Sequence, residues 1–155
     1  MAVEIERKYL VDKKLLPNLE NGYKIKQGYI TTEKIAVVRV RVKNDKAYLT
    51  IKGESSGISR LEFEYEIPLI DANKMLDKLC LESIIDKTRY LIEYKNHTWE
   101  LDIFHGLNDG LIVAEVELND ENEDIELPNW IREEVSNDTR YYNSNLMSFP
   151  YSKWK

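Results

Sequence analysis

The sequence predicts a mostly β, α+β fold: an eight-stranded antiparallel β-barrel with helices packed outside it and a C-terminal helix. Three observations predict it. Segment after segment alternates charged and apolar residues with the two-residue period of a β-strand. About eight such segments occur, most joined by short turns, as in a closed antiparallel sheet. The charges are also sorted by strand. Residues 39–43 and 87–89 carry cations, whereas 62–66, 100–102 and 115–117 carry acids. A solvated sheet face gains from mixing signs within a strand, so sorted charge points to complementary layers around something bound.

The first strand, 3–11, sets Glu4, Glu6 and Lys8 on one face. Two carboxylates and an ammonium are costly in an ordinary core. A short helix follows from Asp12 to Leu19, limited by Pro17. Strands are expected near 23–31, 35–43, 46–53 and 59–69. Arg39, Arg41 and Lys43 oppose Val40 and Val42 on the third, and Lys52 lies on the fourth. Asn44-Asp45 reads as their hairpin turn. Gly53 to Gly57 is a flexible loop, and Glu62, Glu64 and Glu66 then oppose Phe63 and Tyr65. Asp71 reads as the N-cap of a helix to about Leu81, with Met75, Leu76, Leu79 and Cys80 on one face.

Strands near 86–95, 98–105 and 111–119 complete the set, turning at Lys95-Asn96-His97 and at Gly106 to Gly110. They bear Lys87 and Arg89, then Glu100 and Asp102, then Glu115 and Glu117. Pro128 to Glu133 reads as a helix with proline in its first turn. Asp138 caps a further helix from Thr139 to about Leu146. The apolar strand faces point outward under the helices. The charged faces point inward, around a space for one small ligand.

The 155 residues suit one domain, 1–155, and 43% are hydrophobic, enough for a core. With 22 basic and 28 acidic residues the formal charge is −6, which argues against nucleic acid and anionic membrane as partners. No apolar run is long enough to span a bilayer, and no signal peptide precedes the first strand. The single Cys80 forms no internal disulfide, so a cytoplasmic location is expected.

Alternating Arg and Lys match phosphate oxygens, Arg as a fork and Lys as a point charge. Arg39, Arg41, Lys52, Arg60, Lys87 and Arg89 are the candidates. Clustered carboxylates match hard divalent cations. Glu4, Glu6, Glu62, Glu64, Glu100, Asp102, Glu115 and Glu117 are the candidates. Together they suit a polyphosphate bound with Mg²⁺ or Mn²⁺. Competing chemistries lack parts: there is no phosphate-binding Gly-rich loop, no Cys/His cluster and no Ser-His-Asp setting. His97 and His105 read as turn and strand-end residues.

Glu4-Ile5-Glu6-Arg7-Lys8 resembles the Glu-x-Glu-x-Lys signature of the CYTH superfamily, the triphosphate tunnel metalloenzymes. Gln27-Gly28-Tyr29, Arg39-x-Arg41, Leu49 to Gly53, Arg60-x-Glu62-x-Glu64-x-Glu66, Lys87-x-Arg89-Tyr90, Glu100-x-Asp102-x-Phe104 and Ala114 to Glu117 follow in the family's order. So does Glu134-Val135-Ser136-x-Asp138-x-Arg140-Tyr141-x-Asn143. The resemblance implies an eight-stranded tunnel that hydrolyses a triphosphate with a divalent metal. It implies metal on Glu4, Glu6, Glu115 and Glu117, with Glu100 and Asp102 contributing directly or through water. It implies phosphate contacts from Lys8, Arg39, Arg41, Lys52, Lys87 and Arg89, and tunnel-wall roles for Glu62 and Glu64. Lys8, Glu6 and Lys87 are the expected catalytic residues. The compact length and first strand look like the small bacterial triphosphatases. A class IV-type adenylyl cyclase, a thiamine triphosphatase and a non-catalytic polyphosphate- or nucleotide-binding module are the alternatives.

Overall fold

The computed structural model describes residues 2–154; Met1 and Lys155, the ends of the expected 1–155 domain, lie outside the described residues. Among the described residues nine strands form: β1 (Val3–Val11), β2 (Tyr23–Thr32), β3 (Ala36–Lys43), β4 (Lys46–Gly53), β5 (Ser59–Ile67), β6 (Ile85–Tyr94), β7 (His97–Phe104), β8 (Ile112–Glu117) and β9 (Ile131–Glu134). The described residues also form two α-helices, α1 (Leu69–Lys78) between β5 and β6 and α2 (Asn143–Leu146) after β9.

The first eight strands close a barrel in the order β5-β4-β3-β2-β6-β7-β8-β1, and β1 returns to β5. All the pairings are antiparallel. The turns obey their residues. Asn44 takes a positive φ of 57° between β3 and β4, and Lys95 and Asn96 both do so in the two-residue β6–β7 hairpin.

The closing strand is the first one. β1 pairs with β8 through Glu6 to Leu10, and with β5 only through Val3 to Ile5. Past that point the edge vacated by β5 is taken by β9, through Tyr9 and Val11. This corrects the helix expected over Pro128 to Glu133: an unpaired edge offers Ile131 to Glu134 backbone partners that a solvated helix does not. Three further boundaries differ. α1 starts at Leu69, because Pro68 ends β5 and occupies the N-cap position itself, so Asp71 falls in the first turn. The helix expected from Asp12 to Leu19 is a single 3₁₀ turn, Lys13–Leu15. The one expected from Thr139 is a 3₁₀ turn, Thr139–Tyr141, broken from α2 by an extended Tyr142.

Alternation then sorts the side chains. On the outer face Tyr9, Trp99, Leu101, Ala114 and Val116 are covered by Leu118, Trp130 and Ile131. Trp99 stands edge-on to both Tyr9 and Trp130, at 5.6 and 5.9 Å between ring centroids. α1 covers the β2–β4 side, where Met75, Leu76 and Cys80 meet Val40, Ala47 and Ala72, while Leu79 is exposed. Phe63 and Tyr65 do point outward, but no element covers them, and they remain 42% and 58% exposed.

On the inner face the barrel is divided along its axis. One end is apolar: Tyr29, Ile85, Phe104, Leu111 and Val113 pack with Val135, Tyr141, Leu146 and Met147 of the C-terminal segment. The other end is charged. Among the described residues no helix is long and apolar enough to cross a membrane.

Gly28 sets how closely the chain after α1 approaches β2. A Cβ there would lie 2.8 Å from both Cys80 Sγ and Ile84 Cδ1. Gly28→Ala should therefore destabilise the fold by about 1–3 kcal/mol, the usual scale of overpacking. Adding Cys80→Ala should recover part of the loss, read from urea midpoints of the single and double variants.

Candidate active site

The charged end of the barrel encloses a cavity of about 380 Å³. β1 supplies Glu4, Glu6 and Lys8 to its lining, β3 Arg39, Arg41 and Lys43, β4 Lys52, and β5 Arg60, Glu62 and Glu64. β6 supplies Lys87 and Arg89, β7 Glu100, and β8 Glu115 and Glu117. Every site residue singled out in the sequence thus meets in one space, except Asp102. The period-two alternation explains this: each group occupies the inward parity of its strand.

Asp102 has the inward parity too, but it lies beneath the cavity and is fully buried. Its Oδ1 accepts Arg89 Nε at 2.7 Å, and its Oδ2 accepts Arg89 Nη2 at 2.9 Å. Lys87 Nζ also lies 2.7 Å from Oδ2. Burial alone would raise this carboxyl, but Arg89 and Lys87 outweigh it and hold it below the usual carboxylate range. Arg89 fans out further, to Glu100 at 3.1 Å and Glu115 at 3.2 Å.

Above this floor, Glu6, Glu100 and Glu115 bring carboxylate oxygens within 4.8 Å of one another. Burial, then the Glu115 charge, raise Glu6 well above the ordinary glutamate value. Burial would raise Glu115 as well, but Lys8 and the hydrogen bond with Glu6 hold it well below. The pair thus titrates as a unit, with Glu6 the member that holds a proton more readily. Burial also raises Glu100, and raises Glu117 with help from Glu4. Three hard oxygen donors that cannot all ionise unaided fit a divalent cation of the Mg²⁺ or Mn²⁺ type.

The cations occupy the opposite wall. Lys52 Nζ bridges Glu4 at 3.0 Å and Glu62 at 3.2 Å. Arg39 Nη2 reaches Thr50 Oγ1 at 3.2 Å and Glu64 at 3.4 Å, yet its buried Nε has no partner. Arg41 Nε donates to a neutral acceptor, Gln27 Oε1, at 2.7 Å. Burial, with Arg39 and Arg89 close by, lowers the Arg41 guanidinium to about 10. Arg60 Nε donates only to the Gly53 carbonyl, at 3.1 Å. An orphaned buried donor and a crowded guanidinium without a carboxylate partner describe an anion site.

The two lysines differ. Burial lowers Lys87 to about 7, with Arg89 and Arg41 adding repulsion that Asp102 does not offset. Burial opposes the charge of Lys8 too, but Glu115, Glu6 and Asp102 prevail and raise it. Lys8 therefore stays an ammonium while Lys87 is poised to exchange a proton near neutrality.

Sequence reasoning singled out no site residue in the C-terminal segment, yet Ser136, Tyr142, Asn143 and Ser144 line the cavity. Lys8 Nζ donates to the Tyr141 carbonyl and Lys87 Nζ to Asn143 Oδ1, each at 3.0 Å. No periodicity marks these residues; only the tail pattern ending in Tyr141-x-Asn143 drew attention to them. His97 and His105 stay outside the cavity, paired with Glu123 and Thr88.

The CYTH domain description matches residues 2–146. An inorganic triphosphatase of Acetivibrio thermocellus is 50% identical over 155 residues, covering all of this chain and 99% of that protein. One from Nitrosomonas europaea is 35% identical over 153 residues, covering 95% of this chain and 99% of its own length. The crystal structure of the inorganic triphosphatase NE1496 superposes with a TM-score of 0.67 at 32% identity, covering 95% of each chain. A putative adenylate cyclase of Bacillus halodurans, at 19% identity and a TM-score of 0.62, shares the fold alone. With the domain match running from β1 through α2 and half of its residues shared with one triphosphatase, the chain belongs to the CYTH domain family.

Proposed function

We propose that this chain is a triphosphatase that hydrolyses inorganic triphosphate inside the barrel, acting as a single domain in the cytoplasm. The observation that carries the reading is the anion wall: Arg39 with an unpaired buried Nε, beside Arg41 held only by neutral Gln27. The names of two relatives, at 50% and 35% identity, support inorganic triphosphate as the substrate.

Glu6, Glu100 and Glu115 would hold the divalent cation, Mg²⁺ or Mn²⁺, with Glu4 and Glu117 beside them. The cation supplies positive charge to phosphate oxygens on which charge develops. Arg39, Arg41, Lys52 and Arg60 bind the phosphate chain, and Glu62 and Glu64 orient Lys52 and Arg39. Water attacks a terminal phosphorus, the bond from that phosphorus to the bridging oxygen breaks, pyrophosphate departs and the attacked phosphorus becomes orthophosphate. Lys87 takes up the proton released as water attacks, because burial makes its neutral form accessible. Lys8 stays charged and stabilises the phosphate oxygens. Asp102 orients Arg89 and Lys87 rather than the cation, since both of its oxygens are engaged by these two side chains.

A substrate panel tests the assignment. With Mg²⁺ and Mn²⁺ in turn, triphosphate should yield orthophosphate and pyrophosphate. Cyclic AMP and pyrophosphate from ATP would identify a cyclase instead, thiamine diphosphate from thiamine triphosphate would redirect the substrate, and no product would leave a binding module. The pH–rate profile should rise through a group near 7, and Lys87→Met should abolish that limb.

Arg39→Ala should weaken substrate binding by about 1.5–3 kcal/mol, the worth of hydrogen bonds to a charged group. The loss should fall on KM more than on kcat; unchanged kinetics would remove Arg39 from the substrate contacts.

Glu6→Gln separates cation binding from folding. Turnover should fall on the order of a hundredfold or more, the scale of a lost electrostatic contact to the transition state. Stability should move the other way. Folded Glu6 titrates above the unfolded value of 4.5, so the folded state keeps a proton that the unfolded state releases first. Wild-type stability from this group therefore falls as pH rises from about 4.5 through the folded value. Metal-free Glu6→Gln should melt higher than wild type near pH 8 and lose that advantage towards pH 4. Added Mn²⁺ should raise the melting temperature of wild type more than that of the variant.

A further inference from the structure

The two buried lysines of the cavity are held partly by acceptors that no barrel strand supplies. The segment after β9 crosses the inner end of the barrel and presents Ser136, Tyr142, Asn143 and Ser144 to the cavity. Of these, Asn143 meets a buried cavity lysine through its side chain, accepting from Lys87 Nζ at 3.0 Å. An ammonium has only donors, so the amide must turn its oxygen to Lys87. That fixes the other half of the group: Nδ2 is directed away from Lys87. Among the described residues, the Lys87 contact is the only side-chain hydrogen bond of Asn143. Nδ2 is also absent from the buried side-chain atoms that lack partners, so it is not sealed in the protein, and Asn143 lines the cavity. Lys87 is arranged in the same sense. Asp102 and Asn143 each accept from its Nζ, and an ammonium carries three N–H bonds. The third position on Nζ is an N–H in the ammonium and a lone pair in the neutral amine that takes up a proton, so the amide donor of Asn143 is the one that remains for a ligand at the closed end of the cavity.

Charge favours an amide at this point. The cation-binding carboxylates Glu6, Glu100 and Glu115 already crowd the cavity. Asp102 already supplies Lys87 with its anionic partner. A second carboxylate beside Lys87 would hold that lysine equally well but would repel a phosphate. An amide holds the lysine and adds a donor.

We propose that Asn143 is a substrate-binding residue, whose Nδ2 donates to a non-bridging oxygen of the terminal phosphate at the closed end of the cavity while its Oδ1 positions Lys87. The proposal rests on the reading of the cavity as a triphosphatase site. It makes the C-terminal segment part of the substrate site as well as a stopper of the barrel.

Steady-state hydrolysis of inorganic triphosphate with Mg²⁺ or Mn²⁺ by wild type, Asn143→Ala and Asn143→Asp tests it. Aspartate is isosteric and keeps the acceptor for Lys87 but loses the donor. The expected order of kcat/KM is wild type, then Ala, about tenfold lower, then Asp, about a hundredfold lower or worse. An Asp variant at or above the Ala variant would overturn the proposal, because a residue that only positions Lys87 or only packs is conserved by aspartate. Melting temperatures accompany the kinetics. Should Asn143→Asp fail to fold, Asn143→Ser takes its place, since serine restores a short donor and acceptor. Ser above Ala supports the phosphate contact, and Ser equal to Ala removes it. Wild-type turnover of triphosphate is measured in the same series. Its absence would overturn the triphosphatase reading, whereas an active wild type with an active Asp variant would overturn only the role of Asn143.

Discussion

Asp102 lies under the charged cavity and grips Arg89 with both oxygens and Lys87 with one. Breaking such a buried set from one side leaves uncompensated charge, typically at a cost of about 3–5 kcal/mol. Much of the site follows from this one carboxylate. It sets the direction of Arg89, whose remaining donors tie Glu100 and Glu115 together across β7 and β8. It also fixes Lys87, which then meets Asn143 on the far side. A rigid cationic floor results, above which the three carboxylates converge.

The cavity is close to charge balance, with eight cationic and seven acidic side chains in its lining. Neither a bare anion nor a bare cation suits such a site, because each would be repelled by about half of the wall. A polyanion entering with a divalent cation suits both halves. The strand-sorted charges achieve this by geometry: acids of β1, β7 and β8 are neighbours in the barrel, and the basic β3 lies across from them beside β2 and β4. Sorting by strand becomes sorting by wall once the sheet closes.

That sorting was legible in the sequence because alternation is a local property. Glu4, Arg39 and Glu115 each declare their face through two neighbours of opposite character. Depth was not legible. Glu100 and Asp102 share a strand and a parity, yet one lines the cavity and the other lies beneath it; the difference is made by Arg89 on the adjacent strand. β9 escaped for a related reason, since Ile131 to Glu134 become a strand only because β1, more than a hundred residues earlier, has a free edge. Asn143 follows a broken helix whose local signals describe a cap at Asp138 and nothing of Lys87. Contacts of that range carry no periodic signature.

The order of the elements along the chain has a consequence for biosynthesis. β1 is made first but must wait for β8 before its central residues find their partner, so the barrel closes only when residue 117 has been added. The apolar end stays unfilled longer still, until Tyr141, Leu146 and Met147 have left the ribosome. A chain arrested before residue 135 can pair its eight barrel strands, yet Lys8 and Lys87 would lack the acceptors at Tyr141 and Asn143. Placing those acceptors after every barrel strand leaves the site incomplete until the segment beyond β9 has been made.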